Sequence, residues 1–387
     1  MKKLNFQEKI LLYQKKNRRK TDVQSIFLLL GLVLTYLVVQ LFSAFTANAE
    51  IVVTKDAKFT ATMVGDMMFG RNVQTVVDNK GYDFLFREVE PYFKASDYNT
   101  GNFENPILLK DESEYEFEND LTEMKSIFLH AEADVAPYLE SINFTTINLA
   151  NNHLMDYGAV GLTETLDTFA ETSITPVGAG YNKTSSGQFH YAEYDGYKVA
   201  TLGATDVGYQ WGFSTNHQAG ANKIRLNDLL RTVKEESQKE GSADLIIVHT
   251  HWGVEYDSSP NPRQQDIGRA LVDAGADIII GHHTHTLQPV EIYKGKVIFY
   301  SLGNFVFDQG WSKTKDSVLA QFKVKEDDSQ VIELIPMKIE EASPTHLTGP
   351  LADWNFNRMT KLLTKDLGDD VDWKTEGGKI IINLETK

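Results

Sequence analysis

Asp277-Ile278-Ile279-Ile280-Gly281-His282-His283-Thr284-His285 is the stretch on which the reading of this chain turns. Three consecutive isoleucines read as a buried strand, and the strand runs straight into a histidine cluster. Residues i and i+2 share a face of a strand. His283 and His285 are therefore expected to reach one point together, while His282 faces away in a structural role. A pair of imidazoles at a strand end suits a metal ion; two histidines in a surface loop is the plainer alternative.

The same arrangement recurs outward along the chain. Asp244-Leu245-Ile246-Ile247-Val248 leads into His249-Thr250-His251-Trp252-Gly253. His249 and His251 share a face, but His249 lies deeper along the strand, so His251 is the expected ligand unless it is a capped core histidine. The run from Phe144 to Leu149 leads into Asn151-Asn152-His153. An Asn152 side-chain oxygen can ligate a borderline cation, which leaves His153 free for acid–base work. Asp156, three residues on, can orient His153 through its other ring nitrogen. Asparagines and a histidine also serve as ordinary caps where a strand meets a helix. Phe59 to Val64 ends at Gly65-Asp66, where Asp66 and Met68 share a face if the chain stays extended. Ser96 to Asn102 leads into Gly101-Asn102-Phe103-Glu104, with Asn102 and Glu104 on one face. The three histidine-bearing segments hold six of the ten histidines. Their imidazole, carboxylate and amide oxygen donors suit a divalent Mn, Fe, Zn or Co ion.

Between these motifs the periodicity switches repeatedly. Helices are expected over Tyr82 to Phe93, Val135 to Leu139, Val160 to Thr172, Leu226 to Glu240 and Arg263 to Ala274. Asp195-Gly196 joins Phe189–Tyr194 and Lys198–Leu202 as a hairpin. Val290 to Tyr293, Val297 to Tyr300, Val318 to Val324 and Val331 to Ile339 then read as consecutive strands, and Leu108 to Leu121 as an acidic surface loop. Strand–helix alternation followed by strands predicts a layered α/β (α+β) domain, two sheets face to face between helices. It is expected over residues 59–344. Residues 345–387 read as a tail packed on that domain, with a helix around Asn357 to Leu367.

The bulk composition sets limits. Without a cysteine among 387 residues there are no disulfides, thiolate ligands or cysteine nucleophile. The first 49 residues carry eight basic and two acidic side chains, so the formal charge of −16 leaves −22 on the rest. A body that acidic excludes binding of nucleic acid or anionic polymer through general electrostatics, so an anionic ligand needs a local metal or Arg cluster to overcome the field. From Ser25 to Phe45 the only strongly polar side chain is Gln40, over about the 20 residues that a membrane-spanning helix needs. Basic residues precede this run, which orients a cytoplasmic segment 1–24, an anchor 25–45, a linker 46–58 and an extracellular domain. Ala47-Asn48-Ala49 also fits a signal-peptidase site, which would release the domain instead.

Taken in order, these residues resemble the calcineurin-like metallophosphoesterase superfamily, and more closely its capsule-synthesis branch, the CapA and PgsA proteins associated with poly-γ-glutamate. The resemblance lies in Gly65-Asp66 through Arg71, Asn102-Phe103-Glu104, Asn151-Asn152-His153 with Asp156, His251-Trp252-Gly253 with Glu255-Tyr256, and Gly281 through Pro289 with His283, His285 and Gln288. Pro176 through Gly180 and Tyr300 through Phe305 extend it, so it spans roughly residues 59 to 310. It implies a metallophosphatase-like β-sandwich flanked by helices, holding one or two ions. Two positions depart from the superfamily: Met68 stands where a ligand histidine is usual, and Asn102 where a bridging aspartate is usual. Glu104 is the implied substitute. That leaves Asp66, Glu104 and His285 for one ion, and Glu104, Asn152, His251 and His283 for the other. His153 would protonate the leaving oxygen. Arg71 would hold a phosphate or carboxylate, or else form a surface ion pair.

Three functions follow. The first is an anchored extracellular hydrolase of capsular polymer synthesis and export, acting on an anionic envelope polymer or phosphoester beside membrane-embedded synthesis subunits. The second is a non-catalytic, polymer-binding scaffold of the same complex, which Met68 and Asn102 favour. The third is a cleaved, secreted phosphatase that scavenges nutrients.

Overall fold

The computed structural model describes residues 5–45, 53, 55–115, 125–194 and 196–384. The Ala47-Asn48-Ala49 motif, most of the 46–58 linker, residues 116–121 of the acidic loop and Asp195 of the hairpin lie outside the described residues. The chain divides into two units, Met1–Glu50 with Thr348–Asp353, and Ile51–Leu347 with Trp354–Lys387.

In the first unit a helix runs Phe6–Phe45. Ile26, Phe27, Leu28, Leu29 and Leu30 are all exposed, and five consecutive residues at helical spacing leave no polar face there. No single helix among the described residues is long and apolar enough to cross a membrane. The pair Phe6–Arg18 and Asp22–Val38, bent by 68°, passes together by length and composition.

The second unit holds the strands. In chain order they are β1 (Phe59–Met67), β2 (Tyr98–Phe103), β3 (Ile107–Leu108), β4 (Ala131–Glu132), β5 (Thr146–Asn148), β6 (Thr175–Val177), β7 (Ala179–Gly180), β8 (His190–Tyr194), β9 (Tyr197–Thr205) and β10 (Gly220–Ala221). They continue as β11 (Leu245–His251), β12 (Ile278–His282), β13 (Val290–Tyr293), β14 (Lys296–Phe299), β15 (Asn304–Val306), β16 (Asp316–Val324), β17 (Gln330–Glu340), β18 (Ser343–His346), β19 (Trp373–Glu376) and β20 (Lys379–Leu384). A ten-stranded sheet runs β19-β20-β17-β16-β1-β2-β5-β6, with β15 beside β1 and β18 beside β17. A six-stranded sheet runs β13-β14-β12-β11-β9-β8. Strands β1, β2, β5 and β6 are parallel, as are β9, β11, β12 and β14.

Alternation along β11 assigns the layers. Leu245 and Ile247 pack between the sheets, against a core that includes Phe59, Ala61, Met63 and Tyr98 of the larger sheet. Ile246 and Val248 point the other way, to Val233, Ile267 and Leu271 of the helices Leu226–Gln238 and Pro262–Ala274. The far side of the larger sheet packs Val64, Met67, Phe103 and Ile147 with Val135, Leu139, Leu162 and Phe169 of the helices Val135–Ser141 and Gly158–Ala170. The order is helix, sheet, sheet, helix. Each fully buried large apolar side chain contributes roughly 1.5–3 kcal/mol to holding these layers together.

Two stretches differ from the sequence reading. Tyr82 to Phe93 forms two short helices, Tyr82–Phe86 and Glu90–Lys94, because Pro91 lacks an N–H and fits only the first turn of a helix. At the other end, residues 373–384 supply two strands of the larger sheet, and β20 pairs with β17 in the register Ile332↔Ile382. Ile380 and Ile382 join the inter-sheet core. Ile381 between them is half-buried on the opposite face.

Candidate functional site

The polar cluster lies at the carboxyl ends of the central parallel strands of both sheets. His249 and His251 continue the parity of Leu245 and Ile247, so both enter the inter-sheet space. Asp66 does not follow so simply. Strict alternation from Met63, which faces the other sheet, would turn Asp66 outward. The β1–β2 register shifts between Met63 and Asp66, and this irregularity re-aims Asp66 inward. Gly65 permits it, since a Cβ there would lie 1.9 Å from the Gly303 carbonyl oxygen. Met68 consequently parts from Asp66 and packs in the helix-side core.

His283 and His285 also reach the site by a different route from the one expected. Strand β12 ends at His282, and the next residues form a loop in which His283 (φ 90°) and His285 (φ 56°) are both left-handed. Such backbone costs of order 1–3 kcal/mol per residue and persists where its surroundings over-determine it. Here the His283 N–H donates to Asp66 Oδ2 at 3.2 Å, and His285 Nδ1 lies 2.9 Å from Asn304 Oδ1. Asn304 opens β15, in register with Asp66 on the parallel neighbour.

Two buried groups of donors result, Asp66–Glu104–His285 and Glu104–His251–His283. In each, one ligand atom per residue lies within 4.8 Å of the others, as a bound metal ion requires. Glu104 belongs to both. Its Oε1 is 3.9 Å from His251 Nε2 and 3.8 Å from His285 Nε2. Asn152 Oδ1 sits 2.7 Å from His251 Nε2. The donor set fits a divalent cation on a direct observation: Glu104 Oε1 and His283 Nδ1 are buried with no hydrogen-bond partner. Leaving such atoms unsatisfied costs about 1–3 kcal/mol each, and a cation would satisfy both.

The electrostatics of the metal-free cluster point the same way. Burial pushes Glu104 well above the usual carboxylate range, and the Asp66 charge adds to it. Burial would also raise Asp66, but the His282 and His285 imidazoles hold it well below that range. Burial opposes a charged His285, yet Glu104 and Asp66 raise it to about 9. Burial and the neighbouring His285 lower His283 to about 3. His251 is lowered well below its usual value by burial and by His283. A proton on His285 thus balances the Asp66 charge, while Glu104 is biased toward its neutral form.

His153 stands apart from the donor groups, with Nδ1 2.8 Å from Asp156 Oδ2. Burial lowers its pKa, and Asp156 opposes that shift. Lys125, buried and absent from any sequence motif, pairs with Asp156, lies 3.2 Å from His153 Nδ1 and donates to the Asn152 carbonyl at 3.0 Å. Arg71 (φ 53°) pairs with Asp308, its guanidinium 5.8 Å from the centre of the Phe307 ring. A cavity of about 300 Å³ opens here, lined by Arg71, His153, Tyr256, His285, Phe307 and Trp311 among others. Sequence reasoning passed over Lys125, Asn304, Phe307 and Trp311. Asn304 and Tyr256 lay within recognised motifs without a role; nothing in the sequence near Lys125 or Trp311 signals their place.

Two sheets packed face to face between helix layers, with imidazole, carboxylate and carboxamide groups converging at the strand ends, define a calcineurin-like metallophosphoesterase-type fold. Residues 60–309 match the family described as bacterial capsule synthesis protein PGA_cap, and the chain belongs to that family. It is 41% identical over 387 residues to the capsule biosynthesis protein CapA of Bacillus anthracis, covering 100% of this chain and 92% of that one. It is 38% identical to the PGA biosynthesis protein CapA of Bacillus subtilis, covering 99% and 97%. A probable polyglutamine synthesis accessory protein of Mycobacterium tuberculosis is 24% identical over 282 residues, 64% of this chain and 74% of that one.

Proposed function

We propose that this protein is a membrane-anchored, extracellular component of capsular polymer synthesis and export, poly-γ-glutamate being the polymer, and that it carries a metal-dependent hydrolase site. The names of its Bacillus relatives support the capsule assignment. The observation that carries the chemistry is Glu104 Oε1, a buried carboxylate oxygen without a hydrogen-bond partner, standing between His251 and His285. Asp66, Glu104 and His285 would hold one divalent ion, and Glu104, Asn152, His251 and His283 a second, with Mn, Fe, Zn or Co suited to the donors. Bound there, the metal supplies Lewis acidity and lowers the pKa of water.

The protein's own groups do the rest. Asp156, itself paired with Lys125, accepts the hydrogen of His153 Nδ1 and fixes the ring, so the protonated imidazole hands a proton to a leaving group from Nε2. Arg71 is held by Asp308 through one Nη, so the rest of its fork remains for an incoming phosphate or carboxylate. Tyr256 and Trp311, edge to face at 4.7 Å, form an apolar wall of the same cavity. The exposed apolar run from Ile26 to Val38 supports a membrane anchor, beside which synthesis subunits embedded in the membrane would assemble.

One observation favours the scaffold reading. Asn102 spends its Oδ1 on the side-chain amides of Asn148 and Asn151, so it offers no oxygen to an ion. The test is metal content together with bis(p-nitrophenyl) phosphate hydrolysis, measured on full-length protein in detergent. A tightly held ion and turnover abolished by chelator are expected. Metal bound without turnover on any ester or polymer leaves the scaffold, and no metal at all removes the hydrolase.

A further inference from the structure

Two histidines beneath the cluster belong to neither donor group. His249 and His282 are fully buried, their rings nearly parallel with centroids 5.3 Å apart. His249 Nδ1 meets His282 Nε2 at 3.0 Å. On one side Thr100 Oγ1 lies 3.0 Å from His249 Nε2. On the other, His282 Nδ1 lies 3.3 Å from Asp66 Oδ1, close enough for electrostatic contact though not aligned as a hydrogen bond. Four side chains therefore stand in file, from Thr100 on β2 through β11 and β12 to Asp66 on β1. His282 faces Asp66 and does not turn away from the site, contrary to the strand-parity expectation.

Donor and acceptor chemistry fixes the hydrogens along this file. The Asp66 carboxylate only accepts, so the hydrogen of a neutral His282 sits on Nδ1 and its Nε2 is bare. That nitrogen must receive a hydrogen, which places the hydrogen of His249 on Nδ1. His249 Nε2 is then bare and takes the Thr100 hydroxyl. Asp66 Oδ1 is thus approached by His282 and by the Asn102 amide at 2.8 Å, on the oxygen opposite to the one that accepts the His283 N–H.

We infer that Thr100, His249 and His282 form a positioning relay that fixes the Asp66 carboxylate for a divalent cation, and so sets the affinity of the Asp66–Glu104–His285 group without touching the ion. The inference rests on the metal-site reading above. Groups that orient a ligand in this way are typically worth 10–100-fold in metal affinity. None of the three residues needs to contact substrate for the effect.

Calorimetric titration of metal-stripped, full-length protein with Mn²⁺ alone tests it. His249→Phe fills the space and removes both nitrogens; its tighter Mn²⁺ site should weaken by about 10–100-fold. His249→Asn keeps an N–H near the Nδ1 position and should stay within about threefold of wild type. Thr100→Val, which leaves both rings in place, should weaken binding by a few-fold. Metal-free melting midpoints are measured alongside. Unchanged affinity in His249→Phe overturns the relay, as does equal weakening in His249→Phe and His249→Asn. Absence of Mn²⁺ binding in the wild type overturns the metal site itself and the relay with it.

Discussion

Asn102 donates its side-chain N–H to Asp66 Oδ1 at 2.8 Å, across the pairing of β1 with β2. The contact is made at the position where the superfamily resemblance implies an aspartate. A second carboxylate at that distance would face Asp66 with like charge in a buried site, which only a cation between the two could offset. The amide removes the repulsion and also the shared ligand, so the metal-free fold gains what the ion loses.

Asn102→Asp should therefore act in opposite directions on the two states. The metal-free protein is expected to lose several kcal/mol of stability, the usual scale for an uncompensated buried charge. The metal-loaded protein should bind its ion more tightly, whereas Met68→His should add nothing, because Met68 packs in the helix-side core away from Asp66. Melting midpoints with chelator and with excess Mn²⁺ report both effects. A variant that shifts equally in the two conditions would show that the position does not couple to a cation.

Glu104→Gln separates the shared carboxylate from its packing. Burial and Asp66 push Glu104 well above the usual carboxylate range, so the neutral glutamine resembles the form that burial favours without metal. The metal-free midpoint should move little. Metal-induced stabilisation, about 2.7 kcal/mol at a hundredfold excess of ligand over Kd, should disappear for both ions. Persistence of either ion, read by elemental analysis, would assign Glu104 to one group only.

The metal-free protein should lose stability as pH rises from neutral. His285 is raised from 6.5 to about 9 by Glu104 and Asp66 against the effect of burial. A raised histidine stabilises the fold fully below pH 6.5 and loses that contribution as pH climbs through about 9. The amount at stake is about 3 kcal/mol. Glu104, raised as well, changes stability in the same direction. Chemical denaturation at pH 6, 7.5 and 9 in chelator measures the slope, and His285→Ala should flatten it. With metal present the trend should reverse, because the ion competes with the His285 proton.

The strands that carry the site were legible because buried aliphatic runs end at polar motifs, and parity put His249 and His251 on one face, which the fold turns between the sheets. Parity failed where the backbone leaves the ideal strand. The register shift before Asp66 and the left-handed His283 and His285 depend on Gly65, Gly303 and Asn304, which act across the sheet and not along the sequence. Lys125 reaches Asp156 from 31 residues away in a stretch without periodicity, so its role was invisible. Strand β19 was missed because all four of its residues, Trp373–Glu376, are exposed and leave no apolar face to read.

Topology has its own test. If the apolar helix residues from Ile26 to Val38 anchor the chain, full-length protein should stay in the membrane fraction through a high-salt wash, with the acidic body open to protease outside the cell. A mature N-terminus at Glu50, read by mass spectrometry, would establish release instead.

Catalysis and scaffolding part at His153. Its Nδ1 hydrogen is taken by Asp156, and it belongs to neither metal-binding group, so His153→Ala should bind Mn²⁺ normally. If His153 is the proton donor, turnover should fall by roughly 10²–10⁴-fold, the usual worth of a positioned acid. Polymer production in cells should fall with it. A scaffold predicts the reverse pattern: production survives His153→Ala and fails when residues 25–45 are exchanged for an unrelated anchor, because partner subunits would contact that helix. Retained production in both variants would contradict both readings, since neither the acid nor the membrane segment would then be needed.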